Sequence, residues 1–103
     1  MLIIRGVNVY PSQIEAVLVG CPGLAPHYQL VVERAGHRDE LTIEVEAAPG
    51  VAADAFAALA GDVRHRVKSL VGISTTVRVL APGDVPRSQG KAVRVRDLRP
   101  KGD

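Results

Sequence analysis

The stretch Val85 to Val93 reads V-P-R-S-Q-G-K-A-V and sets one lysine, Lys91, on a loop that regular structure cannot hold. Pro86 fixes φ and removes a backbone donor, while Gly90 frees the chain immediately before the lysine. Val93 and Val95 then alternate with Arg94 and Arg96, so a short strand is predicted straight after the loop. A cation carried between two ordered strands can reach a phosphate or carboxylate held outside its own domain. The alternative for the same residues is a solvated lysine beside a turn. The surrounding charge is one-sided: the net charge is only +2, yet Arg87, Lys91, Arg94, Arg96, Arg99 and Lys101 crowd the last segment against Asp97 and Asp103. This end attracts anions. A nucleic-acid partner is set aside, because Tyr10, Tyr28 and Phe56 are the aromatic residues and none interleaves with the basic cluster as a stacking platform.

Other chemistries fail on spacing. His27, His37 and His65 share no metal-ligand pattern and no thiolate or carboxylate cluster accompanies them, so no metal site is expected. Cys21 stands alone between Gly20 and Pro22 and reads as an inert thiol in a turn. Ser69, Ser74 and Ser88 lack a G-x-S-x-G setting, and Gly83 and Gly90 are too far apart for a phosphate-cradling loop. A complete active site cannot be assembled from these residues. If Lys91 does chemistry, its partners come from another domain.

The elements that would position the lysine are those of one domain. A chain of 103 residues with 47% hydrophobic residues can bury one core. It has no run of about eighteen apolar residues, and Met1 to Arg5 is too short for a signal peptide, so the cytoplasm is the expectation and no membrane span is expected. Leu2–Arg5 and Val7–Tyr10 read as short extended pieces interrupted at Gly6, where a tight turn, a bulge or a close backbone approach would each call for glycine. Pro11 ends them. Ser12 and Glu15 form an S-x-x-E capping box that predicts a helix from about Gln13 to Val19, burying Ile14, Val17 and Leu18. His27–Glu33 and Glu40–Ala47 predict an antiparallel hairpin around a turn at 35–39, with Leu41, Ile43 and Val45 inward and Thr42, Glu44 and Glu46 outward. A long helix follows from about Ala52 to Val71, with Phe56, Leu59, Ala60, Val63, Val67, Leu70 and Val71 on the 3.6-residue period. Its Asp62 and Arg66 make an exposed pair one turn apart, of small energetic weight. Gly72 ends it, and Thr75–Leu80 is a further strand. The order predicts an α+β fold, a ferredoxin-like β-α-β-β-α-β sandwich with a small antiparallel sheet, both helices on one face, and the Lys91 loop and a short strand at the end.

Three stretches carry a resemblance. Ile4-Arg5-Gly6-Val7-Asn8-Val9-Tyr10-Pro11-Ser12-Gln13-Ile14-Glu15 resembles the opening of the small C-terminal domain of phenylacetate-CoA ligases, a family of the adenylate-forming acyl-CoA ligase superfamily. Pro86-Arg87-Ser88-Gln89-Gly90-Lys91-Ala92 resembles that domain's catalytic-lysine loop, and Pro26-His27-Tyr28-Gln29-Leu30 is similar to the family between them. Family members more often carry phenylalanine where Tyr10 stands and an acidic residue where Gln89 stands. The resemblance covers nearly the whole chain, so residues 1–103 are expected to be the small mobile domain, with the N-terminal adenylation domain and the acidic hinge before Met1 absent from these residues.

The family's reaction joins a carboxylic acid to ATP, giving an acyl-adenylate and pyrophosphate, and passes the acyl group to the thiol of coenzyme A. What the resemblance implies is a domain that serves both steps by rotating. Lys91 matches the lysine that enters the active site for the first step; Arg5, Gly6, Val7 and Asn8 match the segment that swings toward it for the second, beside the pantetheine arm. The implied partners are the N-terminal adenylation domain and phenylacetate or a related aryl acid, with magnesium accompanying ATP in the full enzyme, no ligand bound by this domain alone, and homodimerisation of the full enzyme left open. The competing reading is a stand-alone ferredoxin-like module that binds a small ligand or RNA.

Overall fold

The computed structural model describes residues 2–85 and 95–98. The chain opens with a hairpin of β1 (Leu2–Ile4) and β2 (Val7–Val9), registered Leu2 to Val9 and Ile4 to Val7. The register leaves Arg5 and Gly6 as a two-residue turn, with φ of 51° and 79°. Positive φ at both central residues is the type I′ geometry, whose twist matches that of the flanking strands. Of the three reasons for a glycine at position 6, the tight turn is the one realised. Ile4 and Val9 point into the core and are fully buried, and Ile3 on the opposite face is exposed.

Helix α1 (Pro11–Val19) begins earlier than the capping-box reading placed it. Tyr10, in extended conformation, is the cap: its carbonyl accepts from the Gln13 amide at 2.9 Å, and the Gln13 side-chain Oε1 accepts from the Tyr10 amide at 3.3 Å. Pro11 rather than Ser12 decides the start, because proline's fixed φ and missing N–H suit the first helical position. Ser12 is therefore inside the first turn. Glu15, freed from the capping role, accepts the Tyr28 hydroxyl at 3.1 Å and ties the helix to the sheet. Ile14, Val17 and Leu18 are buried, as their spacing predicts.

Strands β3 (Leu24–Ala35) and β4 (Arg38–Ala47) pair antiparallel, with an irregularity between Leu24 and Tyr28. They run further than the apolar alternation suggests, because polar residues continue the ladder: Arg34 Nε reaches Asp39 Oδ1 at 2.9 Å across the strands. The turn shrinks to Gly36 and His37. Tyr28, Leu30, Val32, Leu41, Ile43 and Val45 fill one face, against Val63 and Val67 of helix α2 (Phe56–Val71). A short 3₁₀ turn, Ala53–Ala55, leads into α2, and Gly72 ends it with φ 94°, its N–H donating to the Lys68 carbonyl. Leu70, which the helical period grouped with the core, is 55% exposed.

The α+β class and the order of strands and helices are as predicted; the sheet is not the small antiparallel one. The first two strands form their own two-stranded sheet. The main sheet has the order β5-β4-β3-β6, where β5 is Thr76–Leu80 and β6 is Val95–Asp97. Both outer pairs are parallel: β4 with β5 across the α2 crossover, and β3 with β6. The edge position beside β3 thus goes to the short strand predicted after the Lys91 loop.

The second face of the sheet also departs from expectation. Gln29, Glu44 and Arg78 stand in register across β3, β4 and β5, with Gln29 Nε2 to Glu44 Oε1 at 3.1 Å and Arg78 Nη1 to Glu44 Oε2 at 3.0 Å. Glu46, predicted to face solvent, is only 1% exposed. Its Oε2 accepts the backbone amide of Val85 at 3.0 Å, and Val85 is itself buried. The segment leaving β5 folds back over this end of the sheet and covers the carboxylate. A buried amide and carboxylate are costly without partners, so this bond fixes Val85 in place.

Glu46→Ala is expected to destabilise the chain by about 1–3 kcal/mol, since it strands a buried amide. Glu46→Gln keeps an acceptor oxygen and should fall between. Urea unfolding of the 103-residue chain measures both, and a midpoint for the alanine variant equal to wild type contradicts the bond.

Candidate functional site

The opening turn and Val85, the described residue before the Lys91 stretch, sit at opposite ends of β4. At its start lies the turn of the opening hairpin. The Arg5 guanidinium donates through Nη2 to the Ser74 carbonyl, just before β5, and its Nη1 is 3.9 Å from Glu40 Oε2. Arg38 approaches the same carboxylate at 3.6 Å. Arg5 is therefore turned back on its own domain. Gly6 is the opposite case: a side chain added there would meet no atom of the described residues within 4 Å, so its backbone faces open space. Val7 packs against the core and Asn8 is exposed on the other face. The four residues share a turn but present different things: Gly6 its main chain, Asn8 a polar side chain, Arg5 and Val7 the anchorage.

At the far end of β4 lies the root of the lysine loop. Lys91 is outside the described residues, as are Arg87 and Arg94. Its flanks are described, and both are held: Val85 by the buried Glu46, and Val95 by parallel pairing beside Leu30 and packing on the core. Glu40 and Glu46 stand six positions apart on one strand, so the turn and the loop root are separated by about 20 Å. The structure brings Arg5, Gly6, Val7 and Asn8 together and keeps them apart from the root of the loop.

The remaining side chains bear out little chemistry of their own. His27, His37 and His65 are exposed and dispersed, and among the described residues no group of three histidine, cysteine or acidic side chains could hold a metal. Cys21 is buried. That burial raises its thiol pKa, against a lowering by the Arg66 guanidinium. Asp62 accepts Arg66 Nε with both oxygens at 3.1 Å and raises the guanidinium pKa further. No helix among the described residues is long and apolar enough to cross a membrane.

Two features escaped the sequence. Glu46 obeys the alternation that marks outward residues, and only the fold-back of a later segment buries it. An open groove of about 330 Å³ lies along α2, lined by Gly61, Arg64, His65, Lys68 and Ser74. Arg64 and Lys68, one turn apart, are the signal that could have drawn attention to it.

Comparison with known proteins follows this geometry. Residues 6–99 match the family model of the AMP-binding enzyme C-terminal domain. The chain is 50% identical over 102 residues to the phenylacetate-coenzyme A ligase of Escherichia coli (strain K12), covering 96% of this chain and 23% of that protein. The enzyme of the same name from Thermus thermophilus is 44% identical over 115 residues, covering 96% and 26%. The chain thus spans about a quarter of the length of the relatives it matches. Among solved structures, a domain of phenylacetate-coenzyme A ligase from Bacteroides vulgatus superposes with a TM-score of 0.89 at 32% identity, covering 99% of this chain and 95% of that one. A 2-hydroxyisobutyryl-CoA ligase in complex with 2-HIB-AMP and CoA, in the thioesterification state, gives 0.84 at 35% identity, covering 93% and 20%. The fold is thus one seen in solved CoA ligases, and this chain belongs to the AMP-binding enzyme C-terminal domain family.

Proposed function

We propose that residues 1–103 are the mobile C-terminal domain of an AMP-forming phenylacetate-CoA ligase of the cytoplasm. The N-terminal adenylation domain holds ATP and the aryl acid; the carboxylate oxygen attacks the α-phosphorus and pyrophosphate leaves. The thiol of coenzyme A then attacks the acyl carbon and AMP leaves. Magnesium accompanies ATP in the full enzyme.

The observation that carries this reading is the separation of the turn and the loop root along β4. Two elements rooted about 20 Å apart on a rigid strand are suited to meeting one cleft in turn rather than together. Each step is served by one end of the small domain, and the domain turns between them. The related 2-hydroxyisobutyryl-CoA ligase, described in a postadenylation state as well as a thioesterification state, supports a two-position cycle.

Lys91 supplies the adenylation end. Its ammonium lies against the acid's carboxylate and the α-phosphate, where negative charge is redistributed during in-line displacement. Lysine suits a loop of this kind because its charge sits on a flexible stem and acts as a point. The thioester end is the Arg5-Gly6 turn with Val7 and Asn8. Gly6 brings main chain alone to the pantetheine arm, and its left-handed backbone is the one a type I′ turn requires.

Two variants of the full enzyme separate the ends. Lys91→Ala should lower kcat for adenylate formation by about 10²–10³, the scale of losing one oxyanion donor. It should leave thioester formation from supplied phenylacetyl-adenylate within a few-fold; equal loss in both half-reactions overturns the role. Gly6→Asn should do the reverse, because asparagine tolerates the left-handed conformation and the added side chain fills the open space the arm needs. Its unfolding midpoint should stay near wild type while the thioester half-reaction falls. A loss confined to adenylation would contradict the assignment of the turn.

A further inference from the structure

We propose that Glu46 is a positioning residue for adenylation: through the Val85 amide it fixes the stem from which Lys91 reaches the partner domain, an inference that rests on the role given to Lys91 above. Lys91 comes six residues after Val85 and four before Val95, so these two residues are its nearest described anchors. They are held in different ways. Val95 lies in a strand, in parallel register with Leu30, and the Leu98 amide continues the pairing at 2.7 Å from the Val32 carbonyl. Backbone bonds of that kind do not depend on which side chains the strand carries. Val85 lies outside any strand, and its amide is met by a side chain.

The geometry is built from one short stretch. Glu46 stands beside Leu80, the last residue of β5, in the parallel register of the two strands. Residues 81–84 then form a turn closed by the Asp84 amide on the Ala81 carbonyl at 3.1 Å, with Gly83 at φ 92°. Proline at the second place and a positive-φ glycine at the third are the type II pattern, so Pro82 and Gly83 reverse the chain with little freedom. The reversal carries the Val85 amide back to the strand neighbour of Leu80, where Glu46 Oε2 accepts it at 3.0 Å. Glu46 is 1% exposed and Val85 2%, so water does not compete for the bond.

Stability alone gives a weak reason for this arrangement. Burying a carboxylate costs more than burying an apolar side chain of similar size, and such groups often add little net stability. What the bond does supply is one fixed position for one backbone atom, because charge-assisted hydrogen bonds are short and directional. Pro86 follows at once, and its ring removes one further rotation from the stem. A cation that must meet a developing phosphoryl charge needs such a stem, since misplacement by about 1 Å can cost about 10²-fold in rate. Glu46 touches neither substrate nor reacting atoms in this account; it acts through Val85.

The test is made in the full enzyme, with the two half-reactions measured separately. Glu46→Ala should lower kcat for adenylate formation by about 10–10²-fold, with KM for ATP and for the acid unchanged because the partner domain holds both. Thioester formation from supplied phenylacetyl-adenylate should stay within a few-fold of wild type. Glu46→Gln keeps an acceptor oxygen and should recover most of the lost rate. Val63→Ala, which hollows the core on the opposite face of the sheet, should lower the unfolding midpoint yet keep the wild-type ratio of the half-reactions. Should the alanine variant not fold, Glu46→Asp, which keeps the charge but withdraws its oxygens by one methylene, carries the same expectation. Equal loss in both half-reactions, loss in neither, a glutamine variant as slow as the alanine one, or the same split in Val63→Ala would overturn the inference. Lys91→Ala measured alongside separates the two readings: a split there without one at Glu46 removes only the role of Glu46, and no split at Lys91 removes the role of the lysine as well.

Discussion

A strand that is paired on both edges cannot stretch, bend sharply or slide. β4 is in that position, hydrogen-bonded to β3 on one side and β5 on the other, with Leu41, Ile43 and Val45 wholly buried beneath it. Its register is fixed because a slip by one residue would move that whole apolar set to the other face. Everything of functional interest is referred to it. Glu40 at its start meets Arg5 of the hairpin turn, and Glu46 near its end holds Val85 at the root of the lysine loop. The separation of those two carboxylates is therefore a property of the backbone and not of side-chain choice. A doubly paired strand keeps the two ends in a constant relation.

The two carboxylates do this in different dielectrics. Glu40 is close to half exposed and shared between Arg5 and Arg38 at 3.9 and 3.6 Å, distances at which solvent and salt screen the attraction. Glu46 lies in the interior, where a hydrogen bond is stronger and its loss dearer. The loop root is thus held more firmly than the turn.

What the sequence made legible was whatever is local. Periods of 3.6 and 2 found both helices and the β3–β4 hairpin, and Gly6 marked the opening turn. Capping failed at α1 because two local signals competed: Ser12 and Glu15 satisfy the box, but Pro11 suits the first helical position better and moves the cap to Tyr10. Sheet order failed because strand neighbours are chosen by tertiary packing, which periodicity does not encode. The parallel place beside β3 went to β6, and the opening hairpin was left as a separate ribbon whose Ile4 and Val9 still reach the core. Glu46 failed for a related reason, since alternation gives the face of a residue and not what later folds across that face. The α2 groove was only half legible on the same grounds: the spacing of Arg64 and Lys68 shows in the sequence, but Ser74 joins them only in the fold.

Arg5 shows how the turn is paid for. A non-glycine residue at φ 51° sits in the left-handed region, unfavourable for an L-residue by about 1–2 kcal/mol. Asparagine or aspartate is the usual choice at this place in a type I′ turn, because a short polar side chain can bond locally. Arginine cannot do that, and here its long side chain instead crosses to the Ser74 carbonyl and the Glu40 carboxylate. Those contacts join the hairpin to the start of both β4 and β5, so the conformational cost at one residue is set against a bridge between two sheets. The consequence for Gly6 is direct. With Arg5 tethered behind it, the glycine is held at the tip with its main chain facing open space.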